Sequence, residues 1–209
     1  MFNYYLIYEK TDNAKYISHL DFVRTYNRTM RRAGLPVAFS EGFNPHPLLG
    51  FALPLSVGYT SQCELLEFSL TEELNEDEIK HRLNAVIPNG IKILSVHKGK
   101  SRMKQLRYAL YLVYPERLPQ SVAEFMAMEE TVIDKKTKSG IKDTDIRKDI
   151  IEVRLLADRL EMVLSAGSDR NLKPDVVVKA MNKYIPGYDS GDADYHRVAI
   201  YDGEMREIN

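Results

Sequence analysis

Cysteine is nearly absent from this sequence: Cys63 is the only one in 209 residues. A single cysteine excludes an internal disulfide and any zinc or iron–sulfur site built from several cysteines. Chains without disulfides are typical of reducing compartments, so we expect a cytoplasmic protein. The histidines and carboxylates match no metal-binding spacing either, and the sequence therefore predicts neither a metal site nor a cofactor.

An excess of charge and a long apolar run are also lacking. The 29 Lys and Arg residues are balanced by 30 Asp and Glu residues, so attraction to nucleic acid would have to be local. No segment approaches the roughly 20 apolar residues that span a membrane, and the start, MFNYYLIYEK, lacks the features of a signal peptide. With 44% hydrophobic and 28% charged residues, the composition is that of an ordinary globular protein.

The first half of the sequence predicts the element order βαββαβ. A strand at Tyr4–Glu9 precedes a helix that begins after Ser18 and ends before Gly34. A short strand is predicted at Val37–Ser40 and a longer one at Cys63–Leu70. The helix NEDEIKHRLNAVI and the strand GIKILSVHK complete the half. This order is typical of a ferredoxin-like fold.

The second half repeats that order of elements. It reads as a strand LRYALYLVY, a helix PQSVAEFMAMEE, a strand TVIDKK, a hairpin over Ile150–Ala166, a helix KPDVVVKAMNKYI and a strand YHRVAIYDG. The β-branched residues of the hairpin favour two strands over a helix, and the turn between them is expected near Ala157 and Asp158. The sequence thus predicts an α+β protein of two tandem ferredoxin-like (βαββαβ) domains with antiparallel sheets, at residues 1–98 and 105–209, joined through His97–Arg107.

The first predicted helix carries arginine along one side. Asp21, Arg24, Arg28 and Arg31 are spaced by three or four residues and share a face, with Arg32 beside them. Arginine suits phosphate because its planar guanidinium donates two parallel hydrogen bonds. A neighbouring stripe is expected to be buried: Leu20, Val23, Asn27 and Met30. The alternative is a solvated charged face, partly neutralised by the aspartate.

The loop FSEGFNPHP after this helix combines polar side chains with restricted backbone. Gly42 permits a turn, and the two prolines hold the residues before them in extended conformations. Such a loop could position a nucleotide, with Phe43 stacked on a base. The predicted nucleotide-contacting residues of the loop are Ser40, Glu41, Phe43, Asn44 and His46. The alternative is an ordinary turn in which Phe43 serves as a hydrophobic plug.

Two histidines raise the possibility of catalysis. His19 and His46 could act as a general acid and base, because histidine titrates near neutral pH and RNA cleavage by two histidines needs no metal. The sequence gives no distance between them. Basic residues also cluster in the joint and at Lys135, Lys136, Lys138 and Lys142, as phosphate-contacting segments or as solvated linkers.

The motif YISHLDFVRTYNRTMRRAGLPVAFSEGFNPHP resembles that of the uncharacterised radical SAM-linked protein family, and LPLSVGYTSQCELLEF fits it as well. In the second half, DTDIR and NLKPDVVV are similar to weaker motifs of the family. Its members occur beside radical S-adenosylmethionine proteins or fused to their C-terminal end. This chain lacks cluster cysteines and resembles the stand-alone form. Genes of that family tend to lie near ribosomal and RNA-processing genes, so the resemblance implies RNA as a partner.

Three functional hypotheses follow from the residues and the resemblance. In the first, the protein is a non-catalytic accessory factor that binds tRNA or rRNA and presents it to a radical S-adenosylmethionine RNA-modification enzyme. In the second, it is itself an enzyme, a metal-independent endoribonuclease or RNA-modifying enzyme that uses His19 and His46. In the third, it is a protein–protein adaptor whose arginine face docks on an acidic patch of the radical enzyme.

Overall fold

The chain folds into two compact units, one formed by Met1–Leu106 with Arg206–Asn209 and the other by Arg107–Met205. This computed structural model describes residues 1–137 and 140–208, with the backbone alone at residues 135–137 and 141. The predicted mixed α+β class is confirmed, with mostly antiparallel strand pairing and four α-helices in the described ranges. No helix within those ranges has both the length and the apolar character needed to cross a membrane.

The first unit is a small antiparallel sheet with two helices. Its elements are β1 (Phe2–Lys10), α1 (His19–Arg32), β2 (Leu49–Phe51), β3 (Thr60–Leu70), α2 (Glu76–Asn84) and β4 (Ile91–Lys98). Strand β1 lies between β3 and β4, and β2 pairs with β3. Leu6 of β1 stands opposite Leu66 of β3 and Val96 of β4, and all three are buried. Alternate residues of the strands thus face the core that the helices cover.

Helix α1 begins and ends where the sequence predicts, but it buries a different stripe. Ser18 is the N-cap, its Oγ accepting a hydrogen bond from the Asp21 amide, and Gly34 follows the helix with a φ of 64°. The buried positions are Phe22, Tyr26 and Met30, whereas Leu20 is 68% exposed. The predicted stripe was therefore wrong at Leu20.

Aromatic packing decides which side of α1 faces the sheet. The ring centroids of Phe22 and Tyr26 lie 5.5 and 5.3 Å from that of Tyr8 on β1. The rings of Tyr26 and Phe51 of β2 are nearly perpendicular, with 5.7 Å between their centroids. Aromatic side chains remove more apolar area from water than a single leucine does. The larger rings consequently take the core side, and Leu20 is left at the surface.

The segment between α1 and β2 is less regular than predicted. Val37–Ser40 forms no strand; Val37 and Phe39 make isolated bridges to Leu70 and Pro47. A proline has no N–H for a strand ladder, which limits the pairing available to Phe39. The strand of this region is β2, inside the Gly- and Pro-rich segment that sequence patterns assign to a loop.

The second unit has a similar sheet and an additional hairpin. Its elements are β5 (Leu106–Pro115), α3 (Ala123–Ala127), β6 (Val132–Thr137), β7 (Gly140–Asp145), β8 (Ile150–Leu155), β9 (Leu160–Ser165), α4 (Pro174–Tyr184) and β10 (Ala193–Asp202). Strand β5 lies between β9 and β10, β8 pairs with β9, and β6 pairs with β7 alone. The hairpin near Ala157 is confirmed, with Leu155 opposite Leu160.

Two differences from the sequence prediction lie in this unit. The helix expected over residues 119–130 is only five residues long, Ala123–Ala127, and its N-cap residue Val122 makes no side-chain capping bond. The strand β7 was not predicted, because the polar sequence of GIKDTD lacks the β-branched runs that mark a strand. This segment is a strand because it pairs with β6, although its side chains are not typical of a strand.

Candidate nucleic-acid interface

Helix α1 displays its arginines to solvent. All four predicted phosphate-contacting residues of this helix are exposed: Arg24, Arg28, Arg31 and Arg32. Arg24 Nη1 lies 2.9 Å from Asp21 Oδ1. The pKa of Asp21 is lowered, first by the hydrogen bond that Ser18 Oγ donates to it at 2.8 Å and then by Arg24. Asp21 therefore neutralises the beginning of the arginine face and leaves its later positions positive.

The arginines nearer the end of α1 differ in how far they are engaged. Arg32 Nη2 donates a 2.6 Å hydrogen bond to the carbonyl of Val86, just past α2. Within the described part of the chain, the side chain of Arg31 makes no hydrogen bond or ion pair, and Arg28 has only an electrostatic interaction with Asp21. Arg28 and Arg31 are thus the arginines with their donors available.

One cation near this face was missed by the sequence analysis. Arg82 of α2 pairs with Glu78, and its Nη1 lies 3.5 Å from the carbonyl of Gly34 after α1. A cation at a helix C-terminus is favoured by the helix dipole. The helical spacing of Arg82 and Glu78 predicts their ion pair, but the approach of α2 to Gly34 depends on the packing of the two helices.

The loop after α1 is closed by a pair of side chains. Ser40 Oγ lies 2.9 Å from His46 Nδ1 and accepts a 3.1 Å hydrogen bond from the His46 amide, and the Ser40 amide donates to the His46 carbonyl at 2.9 Å. Gly42, at the turn between them, has a φ of 112°, which disfavours any other residue. The loop is therefore held as a small closed ring of backbone.

The tip of this ring is fully exposed. Phe43 is the most exposed large hydrophobic residue of the described chain, and its neighbours Glu41 and Asn44 are exposed too. The alternative in which Phe43 plugs the turn is therefore wrong. An apolar ring held in water by a closed loop has its faces available to a binding partner.

The two candidate catalytic histidines have different partners. The imidazole of His46 is held by Ser40, whereas the ring of His19 lies nearly perpendicular to the ring of Phe51, with 5.5 Å between the ring centroids. No hydrogen bond in the described residues joins the two imidazoles. Nor do those residues contain a group of three or more His, Cys, Asp or Glu side chains that could hold a metal ion. Concerted action of His19 and His46 stays a prediction.

A buried charge lies beneath the start of α1. Lys10 is 3% exposed, its Nζ donates to the Ile17 carbonyl at 3.0 Å, and it sits 5.0 Å from the centroid of the Phe22 ring. Burial lowers the pKa of Lys10, and the buried Glu64 opposes that shift. Since Lys10 joins β1 to the turn before α1, it fixes the position of the arginine helix. Its sequence context gives no signal of this role.

Two basic residues of the joint are engaged in local contacts. In the joint, Lys98 pairs with Glu73, and Arg102 Nη2 donates to the Glu207 carbonyl at 2.6 Å. Of the lysine cluster in the second half, Lys138 and the side chains of Lys135 and Lys136 lie outside the described residues. The joint therefore offers fewer free cations than its composition suggests.

Two side chains of the motif DTDIR, Asp145 and Arg147, hydrogen-bond to the backbone. The guanidinium of Arg147 donates to the carbonyls of Met126, Met128 and Ile150 at 2.8 to 2.9 Å. Asp145 Oδ1 accepts hydrogen bonds from the amides of Thr131 and Arg147, and these bonds lower the pKa of Asp145. The side chains of these two residues thus bind backbone groups.

The first unit is therefore an α+β module with an exposed arginine helix and a closed loop bearing an exposed aromatic ring. A comparison with protein families matches residues 3–174 to a family described as an uncharacterized protein conserved in bacteria, DUF2344. The match covers most of the chain, including α1, the closed loop, DTDIR and the start of α4, and the chain belongs to this family. No curated protein matches it.

Proposed function

We propose that this protein is an RNA-binding accessory factor that presents tRNA or rRNA to a partner radical S-adenosylmethionine RNA-modification enzyme. The observation that carries the RNA-binding part is the exposed arginine face of α1, followed in the chain by a closed loop whose phenylalanine lies entirely in solvent. The radical enzyme as partner rests on the sequence resemblance.

Phosphate contacts are assigned to the arginines of α1. Arg28 and Arg31 have donors available and can hold phosphate oxygens bidentately, while Arg24 is shared with Asp21 and Arg32 with the Val86 carbonyl. Because the chain has a net charge of −1, the attraction must come from this local surface.

Base contacts are assigned to the closed loop. Phe43 offers a ring for stacking, and Asn44 and Glu41 beside it supply an amide and a carboxylate that can hydrogen-bond to base edges. Ser40 and His46 hold the loop closed before RNA arrives, so less conformational entropy is lost on binding.

We also infer that the protein consists of two tandem ferredoxin-like domains. The strand order β4-β1-β3-β2 in the first unit has its counterpart in β10-β5-β9-β8 in the second, and both follow a βαββαβ order once the hairpin β6–β7 is treated as an insertion. That correspondence supports a duplicated fold.

The test is a titration of fluorescently labelled tRNA and rRNA fragments at several salt concentrations. Each phosphate contact to a single strand contributes about 0.7 to the slope of log K against log salt. We expect Arg28→Ala/Arg31→Ala to weaken binding and to reduce the slope by about 1.4. The control Lys92→Ala/Lys148→Ala removes the same charge from exposed positions elsewhere and should leave the slope unchanged. Binding that is absent, or insensitive to salt, contradicts the proposal.

A second candidate function is metal-independent RNA cleavage. The observation in its favour is the contact of His46 Nδ1 with Ser40, which orients the ring and leaves Nε2 as the nitrogen that can exchange a proton with a substrate. Specific RNA products that disappear in His46→Ala and in His19→Ala, with RNA binding retained, would favour this activity. Unchanged RNA after prolonged incubation with the wild-type protein would reject it.

The protein–protein adaptor is tested by co-purification with the radical enzyme. Co-purification that survives nuclease treatment, in a protein without RNA affinity, would favour the adaptor.

A further inference from the structure

The second unit contains a cavity of about 570 Å³ that the proposed RNA site does not involve. It lies between α4, the start of β6 and the turn after β7. Two sequence motifs far apart in the chain meet there, since Ile146 belongs to DTDIR and Leu172, Lys173 and Val176 belong to NLKPDVVV. The volume is within the range of small-molecule sites.

The walls of this cavity are tied together by specific hydrogen bonds. Between α4 and β6, Tyr184 Oη donates to the Val132 carbonyl at 2.8 Å and accepts from the Val132 amide at 3.2 Å. Beside the lining residue Ile146, Asp145 Oδ1 accepts hydrogen bonds from the amides of Arg147 and Thr131. These contacts fix β6 against α4 and hold Ile146 in the lining, so the cavity is formed without a ligand.

The lining combines an apolar floor of buried and half-buried side chains with more exposed charged side chains of both signs. Ile146 and Leu172 are buried, and Ile133 and Val176 are half-buried beside them. The charged lining residues are three lysines and two aspartates: Lys173, Lys179, Lys183, Asp134 and Asp175.

Three of these five charges have partners, whereas Lys173 and Asp134 have none within the described residues. Asp175 lies 3.7 Å from Lys179, and Lys183 donates to the Val132 carbonyl at 3.1 Å. Lys173 is exposed and makes no side-chain hydrogen bond or ion pair within the described part of the chain. The cavity thus offers one free ammonium group and one free carboxylate next to an apolar floor, and its three lysines against two aspartates leave the lining with a net charge of +1.

We propose that this cavity binds a small organic anion with an apolar body, a carboxylate, sulfonate or phosphate monoester on a ring or short chain. The apolar part lies on Ile146, Leu172 and Val176, and the anionic group faces Lys173. Neither the arginines of α1 nor the loop of Phe43 takes part, so this site is independent of RNA binding.

Two fluorescent probes with the same ring and opposite charge test the assignment. Naphthalene-2-sulfonate is titrated into the full-length protein, and 2-naphthylmethylammonium is titrated in parallel. We expect saturable one-to-one binding of the sulfonate and roughly tenfold weaker binding of the ammonium probe, because one surface charge favours the anion and repels the cation.

Variants locate the bound probe. Lys173→Met keeps the length of the side chain and removes its charge, and it should weaken sulfonate binding roughly fivefold to tenfold. Val176→Asp places a carboxylate in the floor and should abolish binding. The matched control is Lys92→Met, an exposed lysine in the first unit, which should bind as the wild type does.

Three results would overturn the proposal: no saturable binding of the sulfonate, equal binding of both probes, or unchanged binding in Lys173→Met. Circular dichroism checks that each variant folds. If Val176→Asp does not fold, Lys173→Met decides alone, since Lys173 is exposed and its replacement removes no contact of the fold.

Discussion

Replacing Phe43 by alanine should weaken RNA binding and leave the stability of the fold nearly unchanged. The ring is fully exposed, so removing it takes no apolar area out of the core and leaves no cavity. The free energy of unfolding should therefore change by less than about 0.5 kcal/mol. Stacking of one base on an aromatic side chain is worth about 1–3 kcal/mol, which corresponds to a roughly fivefold to 150-fold weaker complex.

The assay is fluorescence anisotropy with an unstructured RNA and with a duplex of the same sequence. A duplex keeps its bases stacked on one another, so Phe43→Ala should weaken binding of the unstructured strand and leave that of the duplex nearly unchanged. Val57→Ala removes another exposed apolar side chain, outside both α1 and the closed loop, and is the matched control. Equal affinity of Phe43→Ala and wild type for the unstructured strand would refute the assignment of a stacking role.

Three further predictions concern stability, each followed by urea unfolding with circular dichroism as the signal. Arg147→Lys should destabilise the protein by about 2 kcal/mol, because one ammonium group cannot reach all three carbonyls that the guanidinium binds. If the Arg147→Lys variant were as stable as the wild type, water would be replacing these hydrogen bonds at no cost. Asp145 has a pKa below its ordinary 3.8, so its stabilising effect is present above pH 3.8 and is lost as the pH falls through the lower, folded-state pKa. The stability difference between wild type and Asp145→Asn should accordingly be largest at neutral pH and shrink in acid, and a difference that is constant with pH would contradict this linkage. Tyr26→Phe should leave stability unchanged or raise it by up to about 1 kcal/mol, since the buried Tyr26 hydroxyl has no hydrogen-bond partner in the described residues. Tyr4→Phe should cost about 1–2 kcal/mol, because the Tyr4 hydroxyl bonds both the amide and the carbonyl of Leu74. Equal effects of the two changes on stability would be inconsistent with this contrast.

Local signals in the sequence account for the elements that are regular. Ser18 and Gly34 mark the ends of α1 because capping and a positive φ depend on residues within one turn of the helix. The hairpin of β8 and β9 was likewise predictable from its β-branched residues and its polar turn. Elements that depend on distant partners were not: β2 lies in a proline-rich segment, and its strand conformation comes from pairing with β3.

The candidate site divides in the same way. That Arg24, Arg28 and Arg31 share a face follows from helical spacing alone. Which arginines of α1 remain available does not follow from spacing, because Arg32 is engaged by the Val86 carbonyl, 54 positions away in the chain. The closure of the loop by Ser40 and His46 is an intermediate case, since Gly42 and the prolines predict a tight turn but not the contact between the two side chains.

The sequence by itself determined the α+β class, the limits of α1 and the placing of its arginines, because helical periodicity and capping act over a few residues. Tertiary structure alone decided that Phe22, Tyr26 and Met30 face the core and that Leu20 does not, since this choice depends on the rings of Tyr8 and Phe51 on separate strands. It also decided that Arg147 binds carbonyls and that DTDIR and NLKPDVVV line one cavity. Contacts between residues distant in the chain arise only when the strands pair and the helices pack on them, and no local pattern encodes them.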